Sequence, residues 1–252
     1  MVAIGAHVDS ADPLTAAAAV GADAAQFFLA DPQGWKKPVE HPQAAALRAT
    51  EMPLYIHAPY IINVATTNNR IRIPSRKILS QHAAAAADIG AKGLIVHGGH
   101  VASDEELGNG FENWHKVFER EHFPVPVLIE NTAGGSHAIA RRFDRLARLW
   151  DAVGEFGVGF CLDTCHAFAG GEELGAVVDR VMAITGRIDL VHANSSRDDF
   201  DSGADRHANF DSGTIDAEQI AAVCRSAGSD VIVETPGEGQ NIDIAFLRGH
   251  LG

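Results

Sequence analysis

The sequence predicts an α/β fold, one closed (β/α)8 TIM barrel over residues 1–252 forming a single domain. Three observations lead there. Eight short apolar runs alternate with helix-like segments, which implies a parallel sheet. The length of 252 residues suits eight such units around one large core better than two small domains. Several of the runs end in His, Asp or Glu, so metal-type side chains fall where strands stop and βα loops begin, the edge on which such barrels build their sites. An open doubly wound sheet is the alternative. It would normally carry a Gly-rich nucleotide loop after its first strand, and GAHVDSADP is not one. The chain has no Walker loop and no GxSxG elbow.

The runs follow in order. Residues 4–8 form the first, and Asp12-Pro13 opens an Ala-rich helix to Val20. Residues 24–29 are the second, with turn-rich chain over 30–38 and a short helix around 42–50. The third, 53–58, leads into a long loop to about Ile73, after which Pro74 is expected to start a helix reaching Ile89. The fourth is 93–98 with a helix over 104–121, and the fifth is 125–131 with a helix ending near Val153. The sixth, 158–162, runs directly into Asp163 and His166 and is followed by a helix near 172–185. The seventh, 188–194, precedes a long polar loop over 195–212 and a helix near 216–227. The eighth, 230–235, is followed by a last helix near 242–247.

Composition narrows the class. Hydrophobic residues at 46% and charged residues at 21% are ordinary for a water-soluble globular chain. No apolar run is long enough to span a bilayer, and MVAIGAHVDS lacks the basic and apolar regions of a signal peptide. Cys161, Cys165 and Cys224 show neither CxxC spacing nor a disulfide framework, which fits a reducing, cytoplasmic setting. A net charge of -13 argues mildly against a nucleic-acid partner, but bound divalent cations would concentrate positive charge in one pocket.

The chemistry lies at the strand ends. His57, His97, Glu130, Asp163 and His192 end the third to seventh runs. His166 follows Asp163 by one turn, Asp205 and His207 lie in the polar loop, and Glu234 ends the eighth run. A single His at a strand end is ordinarily a hydrogen-bonded structural residue. Four consecutive strands ending in metal-type residues make that reading poor for the set. The ligand types, imidazole nitrogen and carboxylate oxygen with no cysteine, suit Zn²⁺, or Mn²⁺ or Fe²⁺ in its place, better than Ca²⁺ or Mg²⁺. Nine ligands exceed one ion and fit three, with one carboxylate shared. In Asp205-Arg206-His207 the outer two side chains share one side of an extended segment. His7 ends the first run as a ligand or a ligand's hydrogen-bond partner. His41, His115, His122 and His250 read as surface residues.

GAHVDSA, HAPYIIN, IENTAG, CLDTCHAFAGG, the DRH triplet and VETP, in this order, resemble the endonuclease IV family of apurinic/apyrimidinic (AP) endonucleases. The resemblance covers essentially the whole chain, and IENTAG and LDTCHAFA are its most specific parts. It implies a (β/α)8 barrel with three zinc ions that cuts duplex DNA 5′ to abasic sites, leaving a 3′-hydroxyl and a 5′-deoxyribose phosphate, and that also trims blocked 3′ ends. By motif, His57, His97 and Glu130 would hold one ion. Glu130 would bridge to a second held by Asp163, His192 and Glu234, and His166, Asp205 and His207 would hold the third. Catalysis would then centre on Glu130 and Glu234, with a hydroxide bridging the two ions that share Glu130. The expected partner is abasic duplex DNA, met by a monomer without a membrane. Gln33, Tyr60, Ile61 and Arg206 are the expected DNA contacts, and Lys36, Lys37, Arg70, Arg72 and Arg197 are mouth-side cations. Tyr60 and Ile61 read equally as wedges or as loop packing.

Three positions depart from the family pattern: Gln33 where an Arg is common, Ser195 where an Asp is usual, and Asp211-Ser212-Gly213 where Gly-Glu-Gly is frequent. A sugar isomerase or epimerase on the same barrel is the competing reading. It would use Glu130, Asp163, His192 and Glu234 for one metal and leave the other five ligands without a role. A metal-dependent DNA-binding module without turnover is a third.

Overall fold

Burial on both faces explains why the strands read as near-continuous apolar runs. They are β1 (Ile4–His7), β2 (Ala25–Phe27), β3 (Leu54–His57), β4 (Gly93–His97), β5 (Val127–Glu130), β6 (Gly159–Asp163), β7 (Leu190–His192), β8 (Ser195–Ser196), β9 (His207–Ala208) and β10 (Asp230–Val233). All but β8 and β9 pair in parallel and close into a barrel in the order β1-β10-β7-β6-β5-β4-β3-β2. The computed structural model describes residues 2–252. Outside the barrel lie α1 (Pro13–Ala19), α2 (Ala44–Ala49), α3 (Asn69–Asp88), α4 (Leu107–Arg120), α5 (Phe143–Val153), α6 (Thr164–Ala169), α7 (Val177–Thr185), α8 (Ala217–Ala227) and α9 (Gln240–Leu251). Among the described residues no helix is long and apolar enough to cross a membrane.

The period of two along a strand sorts the barrel interior into layers. Ala24, Tyr55, Ile95, Leu128, Cys161, Leu190 and Ile232 pack together as an apolar layer. Two residues further along the same strands stand Gln26, His57, His97, Glu130, Asp163, His192 and Glu234. The apolar layer is the floor on which the polar one rests. The outward-facing residues pack under the helices in a second, larger core that includes Phe27, Ile56, Leu94, Ile129, Trp114 and Phe143.

Local chemistry starts and stops several helices as the sequence suggests. Asp12 accepts from the Thr15 N–H ahead of Pro13, and Asp216 accepts from Glu218. Gly186 and Gly228 end α7 and α8 with positive φ.

Three expectations need correction. Helix α3 starts at Asn69, not Pro74, because Asn68 caps it by accepting from the Arg70 N–H at 3.0 Å. Pro74 then sits in the second turn and forgoes only the bond to the Arg70 carbonyl. The stretch after Asp163 forms a short helix, α6, where the sequence predicts only a turn carrying His166 ahead of the helix near 172–185. The loop over 195–212 is not wholly irregular: β8 and β9 pair antiparallel, Ser195 opposite Ala208 and Ser196 opposite His207. Ser195, one of the three departures from the family pattern, is buried there and donates to the Ile215 carbonyl at 3.2 Å.

At the opposite end of the barrel a polar plug closes the floor. Asp230 accepts from the Ala3 N–H at 3.0 Å, the Tyr55 hydroxyl at 2.8 Å and the Lys92 ammonium at 3.0 Å. Burial pushes its carboxyl up, but those three donors prevail and hold it below its ordinary value. A depressed carboxylate stabilises the fold above the unfolded value and loses that contribution as pH falls through the folded one. Asp230→Asn is therefore expected to cost about 1–3 kcal/mol at pH 7. The gap to wild type should narrow below about pH 4 in urea unfolding followed by circular dichroism.

Candidate metal centre at the barrel mouth

Parallel register brings the polar layer to one level. His97 on β4 pairs with Glu130 on β5, and Asp163 on β6 pairs with His192 on β7. His57 ends β3, and Glu234 directly follows β10. His166 comes from α6, whose first turn is capped by Asp163 accepting from the His166 N–H at 2.6 Å. Asp205 and His207 enter from the loop and from β9, both facing His166.

All nine strand-end and loop residues singled out in the sequence meet at this mouth, in groups whose ligand atoms lie within 4.8 Å of one another. One group is His57, His97 and Glu130. A second is Glu130, Asp163, His192 and Glu234, and a third is His166, Asp205 and His207. Asp163 and His207 form a further group with Cys165, which the sequence reading had left out. Burial pushes the Cys165 thiol up to about 12. Glu130 stands between two groups. Its Oε2 lies 3.2 Å from His57 Nε2 and 3.3 Å from His97 Nε2, while Oε1 lies 3.1 Å from His192 Nδ1.

Charge is crowded here. Glu130 and Asp163 are completely buried. Burial alone would raise the Glu130 carboxyl, but His192 and His97 beside it hold it well below its ordinary value. Burial dominates at Asp163 and raises it. Burial also opposes charge on His166, yet the Asp163 and Asp205 carboxylates keep it well above the ordinary imidazole value. Partial desolvation would raise the Asp205 carboxyl, but His166 and His207 beside it hold it below its ordinary value.

The donor set suits a divalent cation. His166 Nε2 and His207 Nε2 lie 3.0 and 3.3 Å from the same Asp205 oxygen, but neither is aligned to hydrogen-bond, and both are buried without a partner. Such atoms converge on shared space instead of pairing. The ring orientations agree. His57 Nδ1–H donates to the Ala58 carbonyl at 2.7 Å, His166 Nδ1–H to the Asn131 carbonyl at 2.9 Å, and His192 Nε2–H to Gln26 Oε1 at 2.8 Å. Each leaves its other nitrogen for the cluster, the usual arrangement behind a ligating histidine.

Sequence reasoning missed the residues behind the candidate ligands. Gln26 donates to Glu234 Oε1 at 2.6 Å and to His7 Nδ1 at 2.9 Å. Asn131 accepts from the Asp163 N–H, and Asn194 donates to Asp163 Oδ2 at 2.7 Å while accepting from the Glu234 N–H. The signal was present: an amide, Gln26, interrupts the second apolar run, and each Asn directly follows or nearly follows a candidate ligand. His7 is placed as a hydrogen-bond partner of Gln26.

A cavity of about 540 Å³ opens over the centre, bordered by His57, Tyr60, His97, His166, Arg197, Asp205, His207 and Glu234. Tyr60 is half exposed at its rim and stacks edge-on against His57 at 5.3 Å. Ile61 lines a neighbouring groove with Trp35 and His100. Gln33, Lys36 and Arg70 are exposed, whereas Lys37 borders a separate outer cavity. Arg72 is engaged elsewhere, donating to Asn113 at 3.1 Å and so tying α3 to α4. Arg206 folds back on Asp198 instead of reaching over the cavity. His41, His115 and His250 each contact a backbone carbonyl within 3 Å.

A closed parallel barrel with a histidine–carboxylate cluster at its mouth defines a xylose isomerase-like TIM barrel, and the family model of that description matches residues 14–249. "Probable endonuclease 4" of Mycobacterium tuberculosis is 59% identical over 249 residues, 99% of each chain. The crystal structure of endonuclease IV from Thermus thermophilus superimposes with a TM-score of 0.84 at 28% identity, over 99% of this chain and 98% of that one. A D-tagatose 3-epimerase-like protein shares the fold at a TM-score of 0.79 and 18% identity, over 99% of this chain and 97% of that one. The chain belongs to the endonuclease IV family of AP endonucleases.

The elevated His166 value gives a pH test on metal-free protein. A raised imidazole stabilises the fold fully below the unfolded value near 6.5 and ceases to do so as pH rises through the folded one. Because Asp205 helps to raise it, the stability gap between wild type and Asp205→Asn should be widest below about pH 6.5 and close at alkaline pH. Urea midpoints in the presence of a chelator measure it.

Proposed function

We propose that the chain is a metal-dependent phosphodiesterase that hydrolyses duplex DNA 5′ to abasic sites, leaving a 3′-hydroxyl and a 5′-deoxyribose phosphate, and that also trims blocked 3′ ends. The observation that carries this reading is Glu130, each of whose carboxylate oxygens faces a different set of imidazoles, the geometry of a bridging ligand. His57, His97 and Glu130 would hold one ion, Glu130, Asp163, His192 and Glu234 a second, and His166, Asp205 and His207 a third. The nitrogen and oxygen donors favour Zn²⁺, with Mn²⁺ or Fe²⁺ as substitutes. Bound there, divalent cations supply a nucleophilic water at neutral pH and neutralise charge on the phosphoryl oxygens.

The chain's own residues select and position the substrate. The centre lies at the bottom of a cavity, so a phosphate within a regular duplex does not reach it. An abasic nucleotide, with no base to unstack, swings out at lower cost than a paired one. Tyr60 at the rim and Ile61 in the adjoining groove fill the vacated space as wedges. Lys36, Arg70 and Arg197 meet backbone phosphates, and Gln33 lies on the same side. Arg206 contributes by holding the loop through Asp198, and reaches DNA only if that pair opens. Glu234, held by Gln26, orients the attacking water. The epimerase reading uses the second group alone and gives His57, His97, His166, Asp205 and His207 no work.

Duplex DNA with one tetrahydrofuran abasic analogue tests the proposal, since that analogue cannot undergo β-elimination. Metal-dependent cutting on its 5′ side, with intact duplex left whole, is expected on a gel. No cutting by folded, metal-loaded protein would overturn the reading in favour of a sugar isomerase. Glu130→Gln is expected to abolish cleavage while the circular dichroism spectrum is unchanged. Gln26→Leu should weaken metal retention by about 10–100-fold, measured by dialysis against graded free Zn²⁺.

A further inference from the structure

Asp205 is the most exposed member of the candidate metal centre, at 52%, and it stands on a loop, where the other groups stand on strands or a helix. Something must hold that loop at its far side, because β8 and β9 secure only its two ends. Asp201 is the one non-glycine residue with positive φ among those described, at 59°. Its carboxylate oxygen accepts from Arg141 at 3.0 Å and from Arg142 at 2.9 Å, just ahead of α5. The Asp201 N–H donates to the Phe168 carbonyl at 3.1 Å and the Gly203 N–H to the Ala169 carbonyl at 2.8 Å, both at the end of the helix that carries His166. Phe200 adds an edge-on contact with Phe168 at 5.4 Å.

The approach leaves no room for side chains. A Cβ at Gly171 would lie 2.3 Å from the Arg142 guanidinium and 2.7 Å from the Asp201 carboxylate, and one at Gly134 would lie 2.2 Å from the Gly203 carbonyl. Three chain segments therefore meet around one carboxylate. An exposed ion pair alone contributes little. Two guanidiniums on one oxygen, with two backbone bonds alongside, define a single docked position.

We infer that Asp201 is a positioning residue, a latch that docks the loop on α6 and the start of α5 and thereby sets Asp205 against His166. The inference rests on the proposal that His166, Asp205 and His207 hold a metal ion. It adds that the affinity of this group, unlike the two built on strands, depends on a loop contact outside it.

The test uses the full-length protein with Asp201→Gly, which keeps the positive φ without strain and removes the carboxylate while freeing the backbone. Asp201→Asn keeps the size and one acceptor, and Asp205→Asn serves as the reference. Zn²⁺ content after dialysis against graded free Zn²⁺ should show one ion weakened at least ~10-fold in Asp201→Gly, the others unchanged, and Asp201→Asn intermediate. In chelated protein, amide exchange at Gly203 should speed up while the barrel strands stay protected. Wild-type Zn²⁺ affinity in Asp201→Gly, alongside loss of one ion in Asp205→Asn, would overturn the latch, as would equal weakening of every ion. Full Zn²⁺ content in Asp205→Asn would instead sink the metal assignment, and the latch would then stand or fall on Gly203 exchange alone.

Discussion

Two completely buried carboxylates, Glu130 and Asp163, stand a strand apart at the barrel mouth, and the surrounding structure exists to make that tolerable. An isolated ionised carboxylate out of water is prohibitively costly, so each must be met by positive charge or by donors. Parallel register supplies imidazoles at the same height, His97 opposite Glu130 and His192 opposite Asp163. Amides supply the remainder: Asn131 and Asn194 bracket Asp163, and Gln26 spans His192 and Glu234.

The barrel separates this work from the work of staying folded. The apolar floor of Ile95, Leu128, Leu190 and Ile232 isolates the polar layer from the plug around Asp230 at the other end. Strand ends fix the Glu130 groups rigidly, since a shift of a strand by one residue would turn Glu130 and Leu128 together out of the interior. The third group combines a helix and a loop. It depends on contacts beyond the sheet, and Asp201 with Arg141 and Arg142 is where they concentrate.

The rim has a different character from the centre. Tyr60 at the charged cavity and Trp35 in the groove beside it leave large apolar surfaces exposed, as Phe156 and Phe200 do elsewhere. Several cations that look free in the sequence are paired in the fold. Arg72 holds Asn113, and Arg206 holds Asp198. Positive charge facing the cavity is consequently sparse, with Arg197 at its edge.

By itself the sequence determined the barrel and the nine polar residues at its mouth. The reason is that strands buried on both faces leave an apolar run that stops abruptly, and consecutive strands that each stop at a His, Asp or Glu are poorly explained by structural roles alone. IENTAG and LDTCHAFA carried the family for the same cause, being stretches where backbone and ligand geometry coincide. Tertiary structure alone decided which ligand atoms share a space, that Glu130 turns one oxygen to each of two groups, and that Gln26, Asn131 and Asn194 stand behind them. It also decided the start of α3, where the Asn68 cap outweighs Pro74, and the docking of Asp201 on two arginines some sixty positions away. These are contacts between segments distant in the chain. Residue types and local periodicity carry no record of them, because partners are chosen by closure of the barrel and the packing of loops upon it.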